Sequence, residues 1–139
     1  DFLLVILQGG LTFLNTKAHR FAPFVRRVAM RVFQHLIIHQ RKQLKLDDVV
    51  AAHEMVTVQA RLDTQGNLKK LLISTRSGSY AVDAALLEAC KQGAWDENPP
   101  AEAVAEDGFI NFVFRSDITP QYDQVGLRAI VTYLQIGLL

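Results

Sequence analysis

The spacing of hydrophobic residues changes along the chain, and each spacing predicts a different kind of element. Between residues 21 and 43, apolar side chains recur at every third or fourth position, at Phe21, Val25, Val28, Val32 and Leu36. This period places them on one face of an α-helix. Because Pro23 is tolerated only in the first turn of a helix, the pattern predicts an amphipathic helix that begins near it and ends near Gln43.

Further along, the period shortens to two, which is typical of half-buried strands. Apolar and polar residues alternate over residues 56–62, and residues 68–75 predict a second strand. The polar and glycine-containing residues 63–67 between them predict a hairpin loop. Residues 108–114 predict the third strand, which is the most hydrophobic of the set.

Strands are also predicted near both ends of the sequence. Residues 2–7 are apolar and predict a short strand, and Gly9-Gly10 after them predict a turn. We expect Thr119-Pro120 to break the chain after the third strand. Residues 127–139 fit either a helix or a strand, but flanking glycines and clustered β-branched residues favour a strand.

A second amphipathic helix is predicted after residue 79. Ser77-Gly78-Ser79 supplies a turn and a serine cap. The apolar positions that follow form an inner face, and Gly93 is expected to end the helix. Pro99-Pro100 then prevents any helical continuation.

Together these elements predict a small α+β domain, with one long N-terminal helix and a second helix packed on a sheet. The sheet is expected to be mainly antiparallel, with three to four strands. Residues 1–51 would form a strand, a lead-in and the long basic helix. Residues 52–115 would form a β-β-α-β core, and residues 116–139 an extension with a further strand. We expect all three segments to belong to one domain.

Composition is that of an ordinary globular protein, with 50% hydrophobic and 21% charged residues. The net charge of +1 hides an asymmetry, because eight of the nine charged residues before residue 47 are basic. This indicates a basic face for an acidic partner, although a solvated helix face explains it too. Residues 2–7 are too short to span a bilayer, so any membrane anchor is expected upstream of Asp1.

No residue pattern indicates catalysis, a metal site or a cofactor site. His35 and His39 share a helix face, but no nearby carboxylate completes a zinc ligand set. Cys90 cannot form an internal disulfide, because it is the only cysteine. It also has no neighbouring base, and a buried thiol is expected. Ser77-Gly78-Ser79 lacks the preceding glycine of a nucleophile elbow. We therefore expect no enzyme, no cofactor and no small-molecule substrate.

The basic residues of the long helix allow one alternative from another functional class. Seven of them could form a nucleic-acid-binding face: Arg20, Arg26, Arg27, Arg31, Arg41, Lys42 and Lys45. However, the isoelectric point is only about 8.1, and no aromatic residue is interleaved on the basic side. The same helix could lie on an anionic membrane, although docking on a sheet explains its apolar stripe.

Several short motifs occur in the order and spacing of one known family. Over residues 52–115 these are Gly66 to Leu68, Ser77-Gly78, Val82-Asp83-Ala84-Ala85 and Asn98-Pro99-Pro100. A lead-in at residues 10–17 precedes the long helix. In both stretches the chain resembles the C-terminal domain of the TonB/TolA family of periplasmic energy transducers. It departs from that pattern in having Arg76-Ser77 where paired serines are usual. The tail beyond residue 115 is a further departure, and the Tyr-Pro or Gln-Pro element near the docking site has no equivalent.

The resemblance implies a periplasmic domain that is anchored in the inner membrane and coupled there to an ExbB/ExbD-type motor. Such a domain binds an extended segment of an outer-membrane protein by strand addition, which couples the proton motive force to outer-membrane transport. By position in the family, the docking strand would be Phe109, Ile110, Asn111, Phe112, Val113, Phe114 and Arg115. The residues Gly66, Ser77, Gly78, Asp83, Asn98, Pro99 and Pro100 would have structural roles.

Three alternatives stay open at this stage. Residues 109–115 could instead be a buried central strand, whose edge is closed if the tail pairs beside it. The domain could also be a TolA-like envelope scaffold that links proteins without transduction. Finally, exposed edges favour self-pairing, so an intertwined homodimer is an alternative.

Overall fold

The computed structural model describes residues 4–139. These residues form the strands β1 (Val5–Phe13), β2 (Val56–Leu62), β3 (Leu68–Thr75), β4 (Ile110–Asp123) and β5 (Gly126–Leu138). They also form the helices α1 (Thr16–Arg20), α2 (Ala22–Gln43), α3 (Leu46–Ala51) and α4 (Tyr80–Gly93), and a 3-10 helix at Ala101–Ala103. Within this part of the chain, no helix is both long enough and apolar enough to cross a membrane.

The five strands form one mixed sheet in the order β1-β5-β4-β2-β3. β1 runs parallel to β5, whereas the β5–β4, β4–β2 and β2–β3 pairs are antiparallel. The predicted sheet of three to four mainly antiparallel strands with one long N-terminal helix is therefore wrong. The fold is α+β, but it has five strands, a parallel pair and four helices. The sequence predicted five strands but not that all five join one sheet, because periodicity does not show that the first and last strands of a sequence pair with each other.

Helices α2 and α4 pack on one face of the sheet, as their apolar spacing predicts. The buried side of α2 consists of Phe24, Val25, Val28, Ala29, Val32, Phe33, Leu36, Ile37 and Gln40. It faces buried residues of the central strands, including Phe112 and Phe114. Each large apolar side chain that is fully buried stabilises the fold by about 1.5–3 kcal/mol. The two helices approach so closely that a Cβ at Gly93 would lie 2.7 Å from the backbone nitrogen of Val32.

The predicted boundaries of α2, β2, β3 and α4 are confirmed to within a residue or two. A strand over residues 127–139 is also confirmed, as β5. Two predicted breaks are wrong, because Gly9-Gly10 lies within β1 and Pro120 lies within β4. Phe2 and Leu3, which were predicted to begin the first strand, lie outside the described residues.

Both wrong breaks have a physical explanation in the sheet. Gly9 is overlain by a neighbouring side chain, since a Cβ there would lie 2.7 Å from Cε1 of Tyr133. The β1–β5 register shifts between Gln8 and Leu11, so the two glycines form an irregular bulge rather than a turn. Pro120 is tolerated because only one side of β4 is paired there.

Candidate functional site: the edges of the sheet

The strand that the resemblance assigns to partner docking lies inside the sheet. Residues 110–115 pair with β2 on one side, from Leu62↔Ile110 to Thr57↔Arg115. On the other side, β5 pairs with β4 from Phe112 onward, and the N–H of Leu139 donates to the carbonyl of Asn111 at 2.9 Å. The docking hypothesis for residues 109–115 therefore has no free edge to act on. The alternative of a central strand sealed by the tail describes this segment.

The motif residues around Ser77 form a buried turn ahead of α4. Asp83 is 3% exposed, and its Oδ1 and Oδ2 accept a hydrogen bond from the N–H of Ser77 at 3.0 and 3.3 Å. Ser79 caps the helix by accepting from the N–H of Val82 at 3.2 Å. Gly78 has φ +102°, a left-handed conformation that favours glycine. These contacts fix where α4 begins, which is a structural role.

Of the motif residues Gly66, Asn98, Pro99 and Pro100, the first two form hydrogen bonds with Asp96, a residue that is 5% exposed. The N–H of Asp96 donates to the carbonyl of Gly66 at 3.0 Å, and the N–H of Asn98 donates to Asp96 Oδ2 at 3.2 Å. Pro99 is half-buried, and Pro100 begins the 3-10 helix.

Asp96 also joins this loop to α2. Arg27 forms a two-pronged ion pair with it, through Nε at 3.1 Å and Nη2 at 2.9 Å. That contact raises the pKa of Arg27, so the guanidinium stays charged. Asp96 therefore links three parts of the chain: its backbone N–H contacts the β2–β3 hairpin, and its carboxylate contacts the loop after α4 and the long helix.

The outer edge of β1 is blocked. Arg41 donates from Nε at 3.1 Å and from Nη2 at 3.0 Å to the carbonyl of Ile6, which is therefore already occupied. The bulge at Gly9-Gly10 interrupts the edge further along. Occupied carbonyls and bulges are common ways in which natural sheets prevent edge-to-edge pairing.

The outer edge of β3 has no neighbouring strand among residues 4–139. In β2, the backbone N–H and C=O groups of even-numbered residues point towards β4, and those of odd-numbered residues point towards β3. Across the β2–β3 pair, Gln59 opposes Leu72 and Arg61 opposes Lys70. The backbone groups of Leu71 and Ile73 consequently point outward. Register shifts flank this regular stretch.

The remaining candidate residues show no catalytic arrangement. Cys90 is fully buried, which raises the pKa of its thiol. His39 contacts Gln92 Oε1 through Nε2 at 2.7 Å, whereas His35 is half-buried on the same helix. Among residues 4–139, no three His, Cys, Asp or Glu side chains lie close enough together to hold a metal ion.

Several arginines of the basic helix are engaged within the chain itself. Arg31 donates to the carbonyl of Trp95 at 2.5 Å, and its guanidinium lies 3.6 Å from the centre of the indole ring. Arg27 is held by Asp96, and Arg41 by Ile6. These contacts give the basic face a structural use. Asp96 neutralises the charge of Arg27, whereas the carbonyls that accept from Arg31 and Arg41 occupy hydrogen-bond donors without changing the charge.

Sequence reasoning missed two features that bear on which strand edges are open: the pair Lys69-Lys70 and the residue Asn15. Lys69-Lys70 at the start of β3 was a usable signal, because charged residues mark edge strands. Asn15, in the lead-in at residues 10–17, caps α1 and also contacts the end of β5. It donates to the carbonyl of Leu138 at 2.7 Å and accepts from the N–H of Leu138 at 3.1 Å. This pair anchors the end of β5.

Comparisons of the chain with protein-family models, with curated proteins and with solved structures give no match.

Proposed function

We propose that this chain is a TonB-like adaptor domain that binds an extended segment of an outer-membrane protein by strand addition. In this proposal it acts in the periplasm, anchored to the inner membrane and coupled to an ExbB/ExbD-type motor. The motif order over residues 52–115 supports the family assignment. The single observation that carries the binding mode is the open edge of β3, with its outward N–H and C=O groups at Leu71 and Ile73.

The docking edge proposed here differs from the one that family position indicates. β2 and β5 occupy the two sides of residues 112–115, so the partner strand cannot be added at that segment. Of the two outer strands, β1 has a carbonyl capped by Arg41, whereas β3 keeps a regular stretch from Lys70 to Ile73. Main-chain hydrogen bonds along that stretch would supply affinity with little demand on the partner's sequence.

The charges beside this edge favour an acidic or neutral segment. The side chains of Lys69 and Lys70 are both exposed, and Lys69 lies 3.7 Å from Asp63. Leu72 is 50% exposed on the sheet face opposite the helices, where it offers an apolar contact. A segment that alternates acidic and apolar residues would match this strand.

The test is an NMR titration with extended peptides from the periplasmic plugs of candidate outer-membrane receptors. Amide signals of Leu71 and Ile73 should shift most, because their N–H groups face outward. The double variant Lys69→Glu/Lys70→Glu should weaken the binding of acidic peptides, whereas Lys42→Glu, an exposed charge reversal on α2, should not. Shifts confined to other surfaces, or equal effects of both variants, would refute docking at β3.

The closed edge of β4 favours a second candidate, a TolA-like scaffold that links envelope proteins without transduction. β5 seals the edge that the family uses for docking, and Asn15 anchors its end. If no receptor peptide shifts any amide while the domain stays folded and monomeric, this second function is preferred.

A further inference from the structure

β4 extends past the beginning of β2 and leaves a notch beside it. β2 starts at Val56, which pairs with Ser116, whereas β4 continues to Asp123. The connection before Val56 turns away, since the N–H of His53 donates to the carbonyl of Ser77 at 2.9 Å. The β4 notch is a cavity of about 410 Å³ lined by Ala52, His53, Glu54, Met55, Val82, Ser116, Asp117 and Ile118.

One backbone position of β4 offers its hydrogen-bonding groups to this notch. The carbonyl of Asn111 accepts a hydrogen bond from the N–H of Leu139, so the backbone N–H and C=O groups of odd-numbered β4 residues point towards β5. The backbone groups of even-numbered β4 residues point towards β2. Ile118 is the first even-numbered residue beyond Ser116, where the pairing with β2 ends. Its N–H and C=O therefore point into space that β2 would occupy if it were longer. Pro120, the next even-numbered residue of β4, has no N–H to donate. Any strand added beside Ile118 is therefore short.

A buried hydroxyl also lines the notch. Ser116 is 2% exposed, and its Oγ has no hydrogen-bond partner within the described residues 4–139. A buried hydroxyl without a hydrogen-bond partner is unfavourable, so such groups usually have a partner. A ligand that reaches into the notch would provide one.

The walls and the rim of the notch differ in chemistry. Met55, Val82 and Ile118 supply apolar surface, whereas Glu54 and Asp117 supply carboxylates. The one other titratable side chain among the lining residues is His53. Its Nδ1 lies 3.7 Å from Glu54 Oε2. Apolar side chains beside carboxylates suit a long cationic side chain, whose methylene stem can be buried while its charged end stays in contact with solvent.

We propose that the β4 notch binds an extended peptide that carries a lysine or arginine. The peptide backbone pairs with Ile118, the side-chain stem lies against Met55 and Val82, and the cationic group meets Glu54, while Asp117 on the opposite face of β4 adds negative charge nearby. This site is separate from the β3 edge and has the opposite charge preference. Its existence does not depend on the function proposed above.

The test uses the 139-residue chain and short capped peptides of alternating valine and threonine, with lysine, glutamine or glutamate at the centre. Binding is followed by amide chemical shifts. The lysine peptide should shift Ile118 and its neighbours and bind about tenfold more tightly than the glutamine peptide. Equal affinity of the three peptides, no binding of the lysine peptide, or shifts only at Leu71 and Ile73 would overturn the proposal.

Matched variants separate the backbone contribution from the charge contribution. Ile118→Pro removes the outward N–H without removing a β4–β5 hydrogen bond and should abolish binding, whereas Ile118→Val should retain it. Glu54→Gln with Asp117→Asn should erase the preference for lysine. The control pair, Glu102→Gln with Glu106→Gln, removes two exposed carboxylates elsewhere and should leave that preference intact. Loss of the preference in the control pair would show that net charge, not the notch, selects the peptide.

Discussion

Two glycines with nearly the same positive φ allow the close packing around Asp96 to be measured. Gly66 has φ +87° and Gly108 has φ +85°. A Cβ at Gly66 would lie 1.8 Å from the carbonyl oxygen of Asp96, whereas a Cβ at Gly108 would meet no atom of the described chain within 4 Å. The substitutions Gly66→Ala and Gly108→Ala therefore share the conformational strain but differ in the clash.

The expected magnitudes follow from these two terms. A left-handed backbone costs an alanine about 1–2 kcal/mol relative to glycine, and this applies to both variants. At Gly66 the Asp96 backbone must also move, and overpacking of this kind costs about 1–3 kcal/mol. Gly66→Ala should therefore lower the free energy of unfolding by about 2–5 kcal/mol, and Gly108→Ala by about 1–2 kcal/mol.

Urea unfolding followed by circular dichroism measures the free energy of unfolding of both variants and of the parent chain. Equal m-values would show that the unfolding transition is the same in all three. If the variants lose stability to within about 0.5 kcal/mol of each other, the close approach of Gly66 to Asp96 has no energetic weight. A larger loss for Gly108→Ala than for Gly66→Ala would refute the reasoning outright.

Two further predictions concern carboxylates. Asp83→Ala should lower the free energy of unfolding by about 1–3 kcal/mol, because the buried N–H of Ser77 loses its acceptor. Denaturant unfolding measures this loss, and an unchanged unfolding midpoint would contradict the prediction. Hydrogen bonds from the backbone N–H groups of Asn67 and Phe109 hold the pKa of Asp63 and Asp107, respectively, below the ordinary value of 3.8. Their contribution to stability is present above that value and is lost as the pH falls through the lowered pKa. The free energy of unfolding, measured at successive pH values, should fall in acid for this reason. It should fall less for the Asp107→Asn variant than for the parent chain.

The sequence predicted local elements well, because their signals are local. The apolar face of α2, the alternation in β2 and the serine cap of α4 each lie within a few residues of the structure they specify. Gly9-Gly10 was interpreted as a turn because the signal for its actual role is a contact with Tyr133, far along the chain. Pro120 was interpreted as a break because the unpaired side of β4 depends on where β2 begins.

The candidate site could be predicted only in part, for the same reason. Hydrophobicity placed residues 108–114 in a strand, but it could not show which strands would lie beside them. The family position suggested a free edge, and the β5 strand, anchored by Asn15, closes it. Edges are properties of the assembled sheet, so the β4 notch has no signature within its own residues, and the open side of β3 has only the charged pair Lys69-Lys70.

The parallel pairing of β1 with β5 has a mechanical consequence. The two strands run in the same direction, with seven paired positions from Val5↔Ala129 to Phe13↔Ile136. Tension applied at the start of β1 and at the end of β5 would pull the strands past each other along their length. The rungs of the ladder would then share the load in shear. The antiparallel β4–β5 hairpin, if pulled apart at its open end, would instead yield one rung at a time.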